Sequence, residues 1–70
     1  MNVNELKAEI ARNGLSIPKL AQIIGIDKKT LYSKMKGLSL FTQREISLIS
    51  KALCLDNAKI ISIFFADEVA

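Results

Sequence analysis

The residues of this sequence that could do chemistry are cations and hydroxyls between positions 16 and 44. That stretch contains six basic residues and one acid, Asp27, a formal charge of +5, whereas the rest has four basic and six acidic residues, a charge of −2. A basic segment between slightly acidic flanks is typical of a surface that binds a polyanion. Solvent-exposed lysines on helix surfaces, with no binding role, would give the same charge distribution. The six basic residues are Lys19, Lys28, Lys29, Lys34, Lys36 and Arg44.

Enzymatic chemistry has little support in this sequence. There is no histidine, no glycine-rich phosphate loop and no nucleophile–base pair at a suggestive spacing. One cysteine without histidine does not form a zinc cluster, and 70 residues leave little room for a pocket beside the core. We therefore expect no enzyme activity, metal, cofactor or small-molecule ligand, and we expect Cys54 to be a buried apolar residue rather than a redox sensor.

The sequence also gives no sign of export or membrane insertion. No apolar run approaches the roughly 20 residues of a membrane span, and the N-terminus lacks a basic segment followed by an apolar one. A single cysteine is compatible with a reducing compartment. We therefore expect a soluble cytoplasmic protein.

Five helix starts share one pattern: a polar N-cap with an apolar residue just before it and another four residues into the helix. Two of the caps, Asn2 and Thr42, also have a glutamate at the third helical position, Glu5 and Glu45, as in a capping box. The five caps are Asn2, Ser16, Asp27, Thr42 and Asp56.

These starts predict an all-α domain over residues 1–66, followed by a short acidic tail at 67–70. Glycines after the first three helices supply left-handed stops, and no hairpin turn or polar–apolar alternation indicates a strand. The predicted helices are Val3–Asn13, Ile17–Ile24, Lys28–Lys36, Gln43–Leu53 and Asn57–Phe65.

The second and third predicted helices form a helix-turn-helix pattern. The turn Gly25-Ile26-Asp27 has three residues and includes a glycine that permits positive φ. Ala21 is small where the third helix must cross the second closely. The spacing of four apolar residues predicts that they face inward and hold the crossing: Leu20, Ile24, Ile26 and Leu31.

The run SIPKLAQIIGIDKKTLYSKMKG, residues 16–37, resembles the helix-turn-helix of the Cro/phage-repressor (XRE-type) family. The Leu20-Ala21 pair, Gly25 and Gly37 match that family's pattern. The flanking runs FTQREISLISKALCLD and IISIFFADEVA resemble the fourth helix with its turn and the end of small phage-encoded members. The resemblance implies a compact five-helix lambda-repressor-like domain.

Two residues depart from the family pattern. Ile17 stands where the family commonly has a glutamine that touches a phosphate, and Lys34 stands where it usually has an apolar residue. We expect Met35 to take over that core position and Lys34 to be solvated.

In a helix-turn-helix protein the second helix of the motif enters the major groove with its N-terminal residues at base edges. The predicted base-reading residues are Lys28, Lys29, Tyr32 and Ser33. The predicted phosphate-binding residues, on the flanks, are Ser16, Lys19, Lys36, Ser39, Thr42 and Arg44. Other interpretations are that Lys28 and Lys29 are only solvated, that Tyr32 packs against the start of the fourth helix, and that Arg44 pairs with acids on its own helix.

The expected function is that of a transcriptional regulator, a phage or prophage repressor of Cro type that binds double-stranded operator DNA in the bacterial cytoplasm. A homodimer is possible through apolar residues of the fifth helix and tail, namely Ile61, Phe64, Phe65 and Val69. The alternative is a protein-interaction module of the same fold, such as an anti-repressor that binds a repressor.

Overall fold

A computed structural model describes residues 1–66, which form five helices and no strand. The helices are α1 (Val3–Arg12), α2 (Ile17–Ile24), α3 (Lys28–Met35), α4 (Gln43–Ala52) and α5 (Asn57–Phe64). The predicted all-α class is confirmed for this part of the chain. Every helix begins at the predicted residue, and four of them end one residue earlier than predicted. The predicted tail at 67–70 and Val69 lie outside the described residues.

Each helix begins where it does because a side chain satisfies a backbone N–H of its first turn. All five predicted N-caps accept such a bond, at N···O distances between 2.8 and 3.2 Å. At α4 the capping box is complete, since the Glu45 carboxylate also accepts from the Thr42 N–H at 2.8 Å.

The predicted capping box of α1 forms only in half. The Asn2 side chain accepts from the Glu5 N–H, but the Asn2 N–H donates to the Ile63 carbonyl at 2.7 Å. The Glu5 carboxylate instead pairs with Lys59 of α5, whose ammonium also lies 3.9 Å from Glu9. Packing of α5 on the start of α1 thus provides partners that a local sequence pattern does not reveal.

The core is built around α2, which packs against both α3 and α4, while α5 packs against α1 and α4. Every helix contributes at least one side chain that is 7% exposed or less. The apolar core consists of Leu6, Ile10, Leu20, Ala21, Ile24, Leu31, Met35, Ile49, Ile63 and Leu53, which directly follows α4. The longest helices have 10 residues, and none in the described chain is long and apolar enough to cross a bilayer.

The turn between α2 and α3 has the predicted local structure. Gly25 adopts φ +78° and ends α2 in the left-handed conformation, and the Ile26 N–H donates to the Ala21 carbonyl at 3.0 Å. Ala21 is 2% exposed, which agrees with its predicted place where the two helices approach closely.

The expectation that Cys54 is buried is wrong. Cys54 is exposed and has φ +55°. It lies two residues after the end of α4, as Gly14, with φ +69°, does after α1. The Leu55 N–H donates to the Ser50 carbonyl at 2.9 Å, so the chain reverses here as it does after a glycine stop. Leu55, one residue further on, packs against the core instead.

Cys54→Gly is expected to stabilise the protein by about 0.5–1 kcal/mol, because a side chain in the left-handed region is strained and glycine is not. For a domain of this size that raises the midpoint of thermal unfolding by roughly 2–8 °C, measurable by circular dichroism. Ala8→Gly, on the exposed face of α1, is the control and should cost about 1 kcal/mol. A lower midpoint for Cys54→Gly would contradict the assignment of strain to this residue.

Candidate nucleic-acid interface

The exposed face of α3 carries all four predicted base-reading residues. Lys28, Lys29 and Tyr32 are exposed and Ser33 is half-buried. Since successive residues of a helix are about 100° apart, these four fall within an arc of roughly 140°. The opposite arc holds the buried residues of α3, which are Leu31, Lys34 and Met35. One side of α3 is thus a polar surface with two adjacent ammonium groups at its N-terminal end.

Asp27, the acid that directly precedes α3, caps the start of that helix. Its carboxylate accepts from the Lys29 N–H at 3.2 Å, which supports its predicted role as a cap. It forms no ion pair within 4.0 Å with any cation of the described chain. The negative charge therefore stabilises the helix terminus without neutralising an ammonium.

The ion pairs of residues 1–66 leave the basic face uncompensated. They engage three cations, Arg12, Lys34 and Lys59, with the three glutamates of that part of the chain. The other seven of the ten basic residues have no carboxylate within 4.0 Å among the residues described. Five of them belong to the predicted site, namely Lys19, Lys28, Lys29, Lys36 and Arg44. The interpretation that Arg44 pairs with acids of its own helix is therefore wrong, since Glu45 pairs with Lys34.

Tyr32 lies at a cavity between α1, α2 and α3. It is 41% exposed, and the shallow cavity is also lined by Val3, Lys7, Ile17, Met35 and Lys36, residues of α1, α2 and α3 together with Lys36 just after it. Half-buried Ile17, which stands where a glutamine was expected, therefore provides an apolar wall beside Tyr32. The phenol side chain remains on the exposed side of α3.

Four of the six predicted phosphate-binding residues belong to the starts of α2 and α4, the helices that precede and follow α3. Ser16 and Lys19 belong to the start of α2, which packs against α3, and Thr42 and Arg44 belong to the start of α4. The Ser16 and Thr42 hydroxyls each accept a backbone N–H, at 3.2 and 3.1 Å. A hydroxyl that accepts one bond can still donate its hydrogen, so both remain able to bind a phosphate oxygen.

The remaining two predicted phosphate-binding residues lie at the C-terminal end of α3. Lys36 is the exposed C-cap residue, and Ser39 is exposed in the connection from α3 to α4. In chain order, the predicted phosphate-binding residues thus lie before α3, at its C-terminal end and at the start of α4.

The expectation that Lys34 is solvated is wrong. Its side chain is 10% exposed, and its ammonium donates to the Leu40 carbonyl at 2.8 Å and lies 3.0 Å from the Glu45 carboxylate. The ring of Phe41 is 6.0 Å away, measured to its centroid. Lys34 can be buried because its ammonium has both a hydrogen-bond acceptor and a nearby negative charge. Met35 is also buried, as expected.

The contact with Lys34 also affects the pKa of the Glu45 carboxyl. Partial burial works to raise its pKa, but the hydrogen bond from the Thr42 N–H and the hydrogen bond and charge of Lys34 outweigh it, so the pKa lies below its ordinary value. A carboxyl with a lowered pKa stabilises the fold above the ordinary pKa, and that stabilisation is lost as the pH falls through the lowered value. The link between α3 and α4 is therefore intact at neutral pH.

Apolar side chains are also exposed on α5 and just after it. Ile61 is 47% exposed and Phe65 is 36% exposed. Phe64 points elsewhere, since its ring packs edge-on against Phe41 with centroids 5.3 Å apart. A groove between α4 and α5 leads to Phe65 and is lined by apolar residues such as Ile46. Of the predicted dimer residues in the described chain, Ile61 and Phe65 are accessible to a partner.

Comparison with known proteins identifies no matching family model, no similar curated protein and no similar solved structure.

Proposed function

We propose that this protein is a sequence-specific DNA-binding transcriptional regulator of the Cro/phage-repressor kind, in which α2 and α3 form a lambda-repressor-like helix-turn-helix. The observation that carries this proposal is the exposed face of α3, where Lys28, Lys29, Tyr32 and Ser33 lie together. No carboxylate of the described chain neutralises the two lysines. A short helix with such a face, joined to its neighbour by a three-residue turn, has the form of a recognition helix.

In the proposed complex α3 lies in the major groove. Lys28 and Lys29 donate to O6 and N7 of guanine, and the Ser33 hydroxyl can pair with more than one base. The ring of Tyr32 supplies an apolar contact for a thymine methyl, or its hydroxyl binds a phosphate. These contacts read sequence because each base pair presents a different set of donors, acceptors and methyl groups in that groove.

Phosphate contacts from the starts of α2 and α4 would set the register of the protein on the duplex without reading sequence. Their donors are the exposed cations and hydroxyls described above, and the backbone N–H groups of each first turn add partial positive charge. A regulator held in this way would repress by occupying its operator and blocking polymerase.

The accessible apolar residues Ile61 and Phe65 support a homodimer as the form that binds DNA. A two-fold dimer would place the two recognition helices on half-sites about one helical turn apart, roughly 34 Å. The operator is then expected to have dyad symmetry.

Selection from a pool of random double-stranded DNA tests this function. The protein is incubated with the pool at low and at higher salt, and the DNA retained at higher salt is sequenced. We expect one short site to be enriched, and the logarithm of its affinity to fall with the logarithm of salt concentration by about 0.9 per phosphate contacted. Binding that enriches no sequence at either salt concentration would contradict the proposal.

A protein-interaction module, such as an anti-repressor, is the second candidate. The observation that favours it is the apolar groove between α4 and α5, which a partner helix could occupy. Failure of the DNA selection together with a specific complex with a repressor would support this alternative.

A further inference from the structure

The connection from α3 to α4 holds two large apolar side chains in solvent. Leu38 is 76% exposed and Leu40 is 87% exposed. Leu40 borders a recess whose lining also includes Phe41, Phe64 and Phe65. Because burial of leucine is favourable, a connection that was free to move would tend to fold into that recess.

Contacts from α3 fix the connection at both ends. At its start the Leu38 N–H donates to the Ser33 carbonyl at 3.0 Å. Near its end the Lys34 ammonium donates to the Leu40 carbonyl at 2.8 Å and lies 3.0 Å from the Glu45 carboxylate. Since the Thr42 N–H also donates to Glu45, at 2.8 Å, a single ammonium joins α3 to the connection and to the first turn of α4.

This link has a geometric role that an apolar side chain could not fill. Lys34 and Glu45 are only 10% and 13% exposed, and replacing a buried ion pair by apolar residues is often neutral for stability. An apolar residue at position 34 could fill the same volume, but it would leave the Leu40 carbonyl unbound. The charged pair therefore joins α3 to the start of α4 through contacts that require a defined geometry.

We infer that Lys34 is a positioning residue that, through Leu40 and Glu45, holds the start of α4 at a fixed place relative to the exposed face of α3. On the proposed function, on which this inference rests, the pair sets the spacing between the base-reading side chains and the phosphate-binding groups Ser39, Thr42 and Arg44. Lys34 itself contacts no DNA in this arrangement.

The test uses Lys34→Met and the double variant Lys34→Met/Glu45→Gln, which removes the carboxylate that the single change leaves unpaired while keeping a capping-box residue. Lys51→Met is the matched control, because Lys51 is an exposed lysine of α4 outside the proposed interface. In the free protein, hydrogen exchange at the Leu38 and Thr42 amides should become faster in both Lys34 variants and stay unchanged in the control.

On the DNA site enriched by the wild-type protein, the double variant should bind roughly ten-fold more weakly. The variant should also lose about one to two phosphate contacts. For each lost contact, the slope of log affinity against log salt concentration should become less steep by about 0.9. The enriched sequence should not change, because α3 still reads it. A purely structural role would instead lower the folded fraction and leave the slope of the folded protein unchanged.

Three results would overturn the inference. The double variant could fold and bind with the wild-type affinity and salt slope. That result would overturn the positioning role of Lys34 but not the proposed function. Both Lys34 variants could be unfolded where Lys51→Met is folded, which would make the pair a determinant of stability. Finally, the wild-type protein could enrich no site, which would overturn the proposed function as well.

Discussion

Replacing Lys28 and Lys29 together by alanine is expected to lower affinity for the enriched site by at least about 25-fold while leaving the fold intact. A well-placed side chain–base pair is worth about 1–3 kcal/mol of discrimination, or roughly 5- to 150-fold. Both lysines are exposed in the first turn of α3. Alanine favours helix there, and removal of cations from a helix N-terminus is mildly favourable.

The comparison requires a control with the same loss of charge. Lys51→Glu lowers the net charge by two, as the double alanine variant does, at an exposed residue of α4 outside the proposed interface. Affinities are measured for the enriched site and for a scrambled duplex at one salt concentration. The double variant should lose mainly specific binding, whereas the control should lose a small and equal factor for both duplexes. Equal losses from Lys28→Ala/Lys29→Ala on both duplexes would mean that these lysines contact only phosphate.

Leu20→Ala is expected to remove about half of the free energy of unfolding. Leu20 is fully buried in α2, the helix that packs against both α3 and α4. Leucine-to-alanine changes in a core cost about 2–5 kcal/mol, and a chain of this length has roughly 4–10 kcal/mol of stability in total. The midpoint of thermal unfolding should fall by roughly 10–40 °C, with the helical circular dichroism signal lost accordingly.

Ile23→Ala provides the control for this change on the same helix. Ile23 is 46% exposed, so its truncation should change stability by about 0.5 kcal/mol or less. If Leu20→Ala melted within a few degrees of Ile23→Ala, the packing of α2 at the centre of the core would be contradicted.

The helices could be predicted from sequence because their starts are local. Ser16, Asp27 and Thr42 each cap an N–H two or three residues away, and such contacts depend on spacing alone. The same holds for Gly25, whose left-handed conformation ends α2. The face of α3 could also be predicted, since exposure on a helix follows its period of 3.6 residues.

The surroundings of single side chains could not be predicted in the same way. Lys34 is buried because Leu40 and Glu45, 6 and 11 residues away, provide an acceptor and a charge only once α4 is packed. Glu5 leaves its capping box for Lys59, which is 54 residues away in sequence. The exposure of Cys54 could not be predicted, because a left-handed helix end that lacks glycine cannot be recognised from residue types.

The central claim, that α3 reads bases in the major groove, is tested most directly by dimethyl sulfate interference on the enriched site. The reagent methylates guanine at N7, in the major groove, and adenine at N3, in the minor groove. We expect methylation of at least one guanine in each half-site to block binding, and Lys28→Ala to abolish the interference at a guanine that Lys28 contacts. Interference at adenine N3 alone, or none at any guanine of a guanine-containing site, would contradict the account.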